Sequence, residues 1–211
     1  MNQQDLRVIK TKKNIEESFL RLLEKKSFSE ITVQNILDEA LINRSTFYKH
    51  YSDKYDLAGI LSDRLFQEFQ DMLENRFLAS QNREVYETID VIYEVLYDKR
   101  EAFLNLWKIL TDEVQLENEM ADYLKHRFIA AYSSGFIGNA SQMDYLSGTY
   151  AALTMSSLKW CLNHDYDTVR EVVPPFVRNI LLAMQEFQQP GAEGQQTKRD
   201  SLQTKQDSPQ L

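Results

Sequence analysis

Apolar residues recur every three or four positions along most of the chain, which is the spacing of an amphipathic helix. From Val8 to Leu23 they fall at positions 8, 9, 15, 19, 20, 22 and 23 and form one helical stripe. Strand-like alternation is missing from the sequence, so the pattern predicts an all-α fold. The longer stripes predict helices over 53–77, 85–96, 103–110, 120–137 and 143–162.

Two short helices are predicted between the first stripe and the long helix that follows. Thr32 is a suitable N-cap for a helix of about two turns over 33–40. Leu41 and Ile42 then form a turn, and Asn43 is a second N-cap that opens a short helix over 44–51. Two short helices joined by a tight turn and braced by longer ones indicate a helix-turn-helix head over residues 9–54.

The end of the chain changes character. A last helix is expected to run to about Phe187, capped by Asp167 or Thr168, or to start only after Pro174 and Pro175. From Gln188 onward the sequence is rich in Gln and almost free of apolar residues, which indicates a disordered tail. The sequence thus divides into a helix-turn-helix domain (1–54), a larger helical domain (55–188) and a tail (189–211).

Composition supports an all-α fold and indicates where in the cell the protein is located. Six Gly and four Pro among 211 residues are too few for a turn-rich all-β fold. No apolar run approaches the roughly 20 residues that span a bilayer, and the first ten residues lack the apolar stretch of a signal peptide. The single cysteine, Cys161, has no partner for an internal disulfide. A cytoplasmic protein with no membrane partner is therefore expected.

The net charge of −8 conceals an uneven distribution. Residues 1–55 hold ten Lys and Arg against eight Asp and Glu, whereas residues 56–211 are strongly acidic. A slightly basic head on an acidic body would bind phosphate through the head alone. Chance variation in a mildly acidic protein would give the same split, so this charge pattern is a weak signal.

The second short helix carries groups suited to duplex DNA. Its first residues, Arg44, Ser45 and Thr46, would face base edges in a major groove, where Arg can bind guanine O6 and N7 together. Phe47 is the apolar residue expected to face inward. Four further residues offer hydrogen-bonding or charged groups to the sugar-phosphate backbone: Tyr48, Lys49, His50 and Lys54.

The stretch from Thr32 to Leu57 resembles the DNA-binding signature of the TetR/AcrR family of bacterial repressors. The resemblance covers about 50 residues without a gap, and length and the helical remainder are similar to that family as well. One departure is Leu41, which stands where the family usually has a Gly with positive φ; a Leu there would cost on the order of 1 kcal/mol. The matching positions are Thr32, Ile36, Ala40, Asn43 (for Ser), Tyr48, His50, Tyr51 (for Phe), Lys54 and Leu57.

The resemblance implies a set of DNA contacts and a dimer. Thr32 would touch a phosphate at the start of its helix, and the dimer interface would lie in the helices over 143–162 and 176–187, the first of which is rich in small residues. A two-fold dimer would place two recognition helices one DNA turn apart. The predicted DNA-binding residues are Thr32, Asn43, Arg44, Ser45, Thr46, Tyr48, Lys49, His50 and Lys54.

Little in the sequence indicates catalysis or a cofactor. His50, His126 and His164 are far apart, Cys161 lies in an apolar helix, and no Gly-rich phosphate loop occurs, so neither an enzyme nor a metal site is expected. The many aromatic residues of the body line either its core or a pocket for a small apolar or aromatic effector. The candidates for that pocket are Trp107, Tyr123, Phe128 and Tyr150.

The sequence therefore predicts a dimeric repressor that binds an operator in double-stranded DNA and is released by a small-molecule effector. Two alternatives stay open at this stage. One is a regulator without a small-molecule ligand, controlled by a protein partner or acting as an activator. The other is a helical scaffold that binds proteins and not DNA.

Overall fold

The computed structural model describes residues 3–74, 96–134, 136 and 138–175. Within these ranges every regular element is a helix, which confirms the predicted all-α fold class. In chain order the elements are α1 (Gln3–Lys25), a short 3-10 helix (Phe28–Glu30), α2 (Val33–Ala40), α3 (Arg44–Tyr48), α4 (Lys54–Met72), α5 (Arg100–Leu106), α6 (Leu116–Tyr132), α7 (Ala140–Leu162) and α8 (166–175).

The helix ends differ in places from the sequence prediction. α3 ends at Tyr48 and not at Tyr51, because the chain tightens there and the His50 N–H donates to the Phe47 carbonyl at 2.9 Å. The helix predicted over 120–137 runs instead from Leu116 to Tyr132. The predicted segments 75–95, 176–187 and 189–211 lie outside the described residues.

The start of α8 corrects the expected role of the two prolines. Asp165 is the N-cap: its carboxylate accepts the Thr168 N–H at 3.0 Å and the Thr168 hydroxyl at 2.9 Å. Neither Asp167 nor Thr168 caps this helix, and it does not begin after Pro174 and Pro175, which are both helical. Proline is unfavourable inside a helix, but a well-made cap two turns earlier fixes the start.

One apolar core runs through the head into the body. In the head, Ile15, Phe19, Ile36 and Phe47 are fully buried where α1, α2 and α3 meet. The core continues along α4 to Phe69 and joins the side chains of α5, α6 and α7. α1 touches both α2 and α5, and α6 packs along α7, so the head rests directly on the body.

A smaller apolar cluster joins the end of α7 to α8. Val169 and Val173 are its buried members, and Trp160 packs against them. The Trp160 indole stacks on the His164 imidazole, with ring centres 4.0 Å apart and planes 18° from parallel. Among the described helices, none is long and apolar enough to cross a membrane.

Candidate DNA-binding interface

α2 begins with two reciprocal hydrogen bonds at Thr32. The Thr32 hydroxyl accepts the Asn35 N–H at 3.2 Å, and the Asn35 side-chain oxygen accepts the Thr32 N–H at 3.1 Å. This arrangement satisfies two backbone donors that a helix start otherwise leaves unpaired. Thr32 is therefore the N-cap that the sequence predicts, and it is exposed to solvent.

The turn between α2 and α3 keeps its left-handed residue although no glycine is present. Leu41 has φ 53° and ψ 45°, the one positive φ outside glycine among the described residues. The Ile42 N–H donates to the Leu37 carbonyl at 3.1 Å, and the Leu41 N–H donates to the Asp38 carbonyl at 3.4 Å. These two bonds form a Schellman motif, which normally places Gly at the left-handed position. The turn thus retains its geometry and accepts the strain of a Leu.

Replacing Leu41 with Gly should stabilise the head. The left-handed conformation costs a Leu about 1–2 kcal/mol, and the greater freedom of Gly in the unfolded chain takes back about 0.4–1 kcal/mol. Because the Leu41 side chain is 91% exposed, little packing is lost. We expect a gain of about 0.5–1 kcal/mol in the free energy of unfolding, measured by urea denaturation. Leu41→Ala is the matched control, since it keeps a Cβ; an equal gain there would contradict the strain.

Asn43 organises the first turn of α3. Its side-chain oxygen accepts three hydrogen bonds of 2.8 Å, from the Thr46 N–H, the Thr46 hydroxyl and the Ser45 hydroxyl. Because both hydroxyls donate to Asn43, their oxygens are left as acceptors for outside donors such as base amino groups. Asn43 fixes the side chains around it, while Arg44 beside it is exposed.

Phe47 and Tyr48 point in opposite senses from α3. Phe47 is fully buried, and its ring lies 5.7 Å from that of Tyr51, which is also buried. Tyr48 is exposed and meets Phe47 edge to face at 5.5 Å. A five-residue helix has few hydrogen bonds of its own, so this aromatic anchor holds it against the head.

Lys49 and His50 follow α3 and add a positive charge and an imidazole to its end. Lys49 is exposed and His50 is half-buried. Burial lowers the pKa of His50, and the charges of Lys12 and Lys49 lower this pKa further. The imidazole is therefore neutral at pH 7 in the free protein, ready to gain a proton beside an anion.

Lys54 is the first residue of α4, as the sequence predicts, but its ammonium group is engaged inside the head. It donates to the carbonyls of Phe28 at 2.8 Å, Ile31 at 2.7 Å and Ser29 at 3.4 Å. It also lies 4.6 Å from the centre of the Phe28 ring. Three carbonyl partners use all three donors of an ammonium, so a phosphate contact would require exchanging one of them.

Glu16, in the middle of α1, has a role that sequence reasoning did not identify. Its carboxylate accepts a hydrogen bond from the Tyr51 hydroxyl at 2.9 Å and two from the Arg64 guanidinium at 2.8 and 2.9 Å. The one sequence signal was Tyr51 itself, since a Phe at this position would lack the hydroxyl. We call Glu16, Tyr51 and Arg64 the Glu16 network.

Comparison with known proteins places the helix-turn-helix in a family. The model for bacterial regulatory proteins of the tetR family matches residues 19–59, which include α2, the turn and α3. Residues 19–59 therefore form a helix-turn-helix of the tetR type. This match confirms the predicted resemblance to that family and supports a DNA-binding transcriptional regulator.

Individual relatives agree with that family. The transcriptional regulator YxbF of Bacillus subtilis is 36% identical over 72 residues, which are 34% of this chain and 19% of YxbF. DhaS, an activator of the dhaKLM operon in Lactococcus lactis, is 28% identical over 157 residues, 65% of this chain and 81% of DhaS. A TetR-family regulator of Syntrophomonas wolfei has the same fold, with a TM-score of 0.60 at 16% identity over 82% of this chain and 95% of its own.

The four pocket candidates lie in three places in the body. Phe128 and Tyr150 are together, with ring centres 5.0 Å apart. Tyr123 instead donates its hydroxyl to Glu74 at 2.9 Å. Trp107 is buried, and its indole N–H points to the Met120 sulfur at 3.2 Å. The described structure therefore brings only two of the four into ring contact with each other.

Trp107 also borders an open groove of about 380 Å³ where α1, α5 and α7 meet. Six of its eight lining residues have polar or charged side chains, and Leu104 and Trp107 are the two apolar members. No group of three or more His, Cys, Asp or Glu suited to a metal occurs in the part of the chain that the structure describes. The lining residues are Glu24, Glu101, Leu104, Asn105, Trp107, Lys108, Lys159 and Asn163.

Proposed function

We propose that this protein is a homodimeric TetR-family repressor that binds a two-fold operator and is released by a small molecule. The observation that carries the DNA-binding part is the exposed row of Arg44, Ser45, Tyr48 and Lys49 around the buried anchor Phe47. Arg44 and the two hydroxyl residues after it would contact bases, and Tyr48, Lys49 and His50 would contact phosphates. Thr32 and Asn43 would shape the starts of the two helices at the DNA.

Lys54 takes a different part in this proposal. Its bonds to the 28–31 carbonyls fix the loop before α2 against the start of α4. If Lys54 contacts DNA, a phosphate would replace the weakest of these partners, the Ser29 carbonyl at 3.4 Å. The N-terminus of α4 would add little to such a contact, because the Asp53 carboxylate already accepts the Tyr55 and Asp56 N–H groups there.

A salt titration tests the DNA-binding part. The probe is the duplex that the full-length protein selects from a random-sequence pool. If the dimer contacts six or more phosphates, affinity should fall by at least about a thousandfold between about 50 and 200 mM salt. A shallow salt dependence would contradict the phosphate contacts, and failure to select any duplex would contradict the proposal itself.

His50 should make DNA binding depend on pH. A phosphate beside the imidazole raises the pKa of His50, which burial lowers in the free protein, so the complex holds more protons than the free partners. Affinity should therefore rise as pH falls from about 8 to about 6. His50→Gln should flatten this dependence, measured by fluorescence anisotropy with a labelled duplex. If His50→Gln leaves the pH profile as it was, the phosphate does not lie at His50.

The dimer proposal is supported by the outer face of α7. Tyr145 is 73% exposed and Leu153 is 43% exposed, and Ala152 and Ser156 lie beside Leu153 on the same face. An apolar helix face with small residues suits close packing against a second copy. The other predicted interface segment, 176–187, lies outside the described residues.

Leu153→Asp should dissociate the dimer, because two unpaired carboxylates would be buried at the two-fold interface. Sedimentation velocity should show a shift from dimer to monomer, with operator affinity at least about tenfold weaker because one head binds alone. Leu110→Asp is the matched control, since Leu110 is also exposed but lies between α5 and α6. If Leu153→Asp still sediments as a dimer, the interface does not include this face of α7.

α4 is the element through which a body ligand would act on the head. At one end Lys54 holds the 28–31 loop, and at the other Phe66 and Phe69 meet the Tyr123 ring at 5.9 and 6.3 Å. A small apolar or aromatic effector near the pocket candidates would release DNA if it bound better to a state with wrongly spaced heads. Such an effector would be identified as a compound that releases the protein from the selected duplex.

A second candidate is a transcriptional activator. It is favoured by DhaS, a relative that is itself an operon activator and matches this chain over most of its own length. Transcription in vitro from a promoter next to the selected duplex separates the two candidates. A repressor lowers the transcript yield when protein is added, and an activator raises it.

A further inference from the structure

Glu16 joins two elements that are far apart along the chain and differ in function. Tyr51 follows the recognition helix α3, whereas Arg64 lies in the middle of α4, 48 residues after Glu16. The Glu16 side chain is 12% exposed and the Arg64 side chain is 49% exposed, so the bridge lies at the edge of the core.

The geometry of the Glu16 network is more constrained than that of an ordinary ion pair. The Arg64 guanidinium donates one N–H to each carboxylate oxygen, and this bidentate arrangement fixes the relative orientation of both groups. The Tyr51 hydroxyl donates to one of the same oxygens. Burial acts to raise the pKa of Glu16, but the bonds from Arg64 and Tyr51 outweigh it and the pKa is lowered, so the carboxylate is charged at pH 7.

Tyr51 passes this constraint on to α3. Its ring packs against Phe47 at 5.7 Å, and its N–H donates to the Phe47 carbonyl at 3.1 Å. Phe47 in turn sets the orientation of the helix that carries Arg44 and Ser45. A shift of Arg64 with α4 would therefore move Glu16, Tyr51 and the anchor of α3 together.

We infer that Glu16 is a positioning residue for operator recognition, which sets the orientation of α3 according to the position of α4 through Tyr51 and Arg64. The inference rests on the proposed DNA contacts of α3. It explains the hydroxyl of Tyr51, because a Phe would fill the same core position but would lack the bond to Glu16 that connects α3 to α4. A bond of this kind should affect selective binding, which needs an oriented α3, more than binding to any duplex, which needs charge alone.

The test compares full-length variants on two probes, the selected duplex and an unrelated duplex of equal length. Tyr51→Phe removes one hydroxyl and keeps the core filled; Arg64→Met removes the guanidinium. Each should weaken binding to the selected duplex about five- to tenfold, and leave the unrelated duplex within about twofold, because a hydrogen bond to a charged group is lost while phosphate contacts stay. The double variant should lose less affinity for the selected duplex than the product of the two single losses, because both changes break the same network. Arg64→Lys should recover only part of that affinity, since a lysine cannot make the bidentate contact.

Two controls separate the outcomes. Arg21→Gln breaks the ion pair to Glu39, which joins α1 to α2 at 3.0 Å without touching Tyr51, and should leave selective binding unchanged. Tyr48→Ala should weaken both duplexes. If Tyr48→Ala weakens binding but Tyr51→Phe and Arg64→Met lower only the melting temperature, the Glu16 network is merely structural and the inference is wrong. If the unaltered protein selects no duplex, the proposed function and the inference fail together.

Discussion

Phe47→Ala should lower the free energy of unfolding of the head by about 3–5 kcal/mol and abolish duplex binding at 37 °C. Phe47 is fully buried between α1, α2 and α3, and its ring contacts both Tyr48 and Tyr51. Removing the ring leaves a cavity under a helix of only five residues, which cannot hold its shape without tertiary contacts. Urea denaturation followed by circular dichroism gives the loss of stability.

Tyr48→Ala is the matched control for stability. Tyr48 is the next residue of the same helix, but it is exposed, so truncation should change the free energy of unfolding by less than about 1 kcal/mol. A similar loss for both variants would mean that α3 is not anchored by Phe47 in particular.

Arg44→Ala should have the second largest effect, and this effect should depend on the DNA sequence. A bidentate Arg–guanine contact discriminates against a wrong base by about 1–3 kcal/mol, so affinity for the selected duplex should fall about ten- to hundredfold. Arg44 is exposed at the start of α3, next to the Asn43 cap that fixes this turn. Competition between the selected duplex and single-base variants should show that preference is lost at one base pair per half-site.

Lys49→Ala gives the contrasting result. A lysine on a phosphate should weaken binding to all duplexes alike and lower the salt slope by about one for each head. If Arg44→Ala instead weakened all sequences equally, Arg44 would contact the backbone, and base recognition would have to come from Ser45 and Thr46.

Local sequence signals located the helix-turn-helix because its elements are specified by neighbours. Thr32 and Asn43 cap the helices that they precede, and both bonds span three residues. Even the unusual Leu41 kept the left-handed turn, because the surrounding helices fix the path of the chain. The predicted domain boundary between residues 54 and 55 stays a prediction. It falls at the start of α4, which contacts both the head and the body.

Contacts between distant segments were beyond such signals. The spacing around Lys54 suggested a phosphate contact, yet its carbonyl partners lie 23 to 26 residues earlier in a loop whose path only the folded head defines. Glu16 could not be identified as a bridging residue from the sequence, because its partners are 35 and 48 residues away. The prolines of α8 led to a wrong prediction. They suggested a helix start after position 175, but the Asp165 carboxylate caps the helix more than two turns earlier.

The stacking of Trp160 on His164 has a spectroscopic consequence. The chain has two tryptophans, Trp107 and Trp160, and both belong to the body. Intrinsic fluorescence therefore follows the body without a contribution from the head, even while DNA is bound. The Trp160 indole is stacked on the His164 ring and the Trp107 indole lies beside the Met120 sulfur, so both emissions depend on contacts within the body.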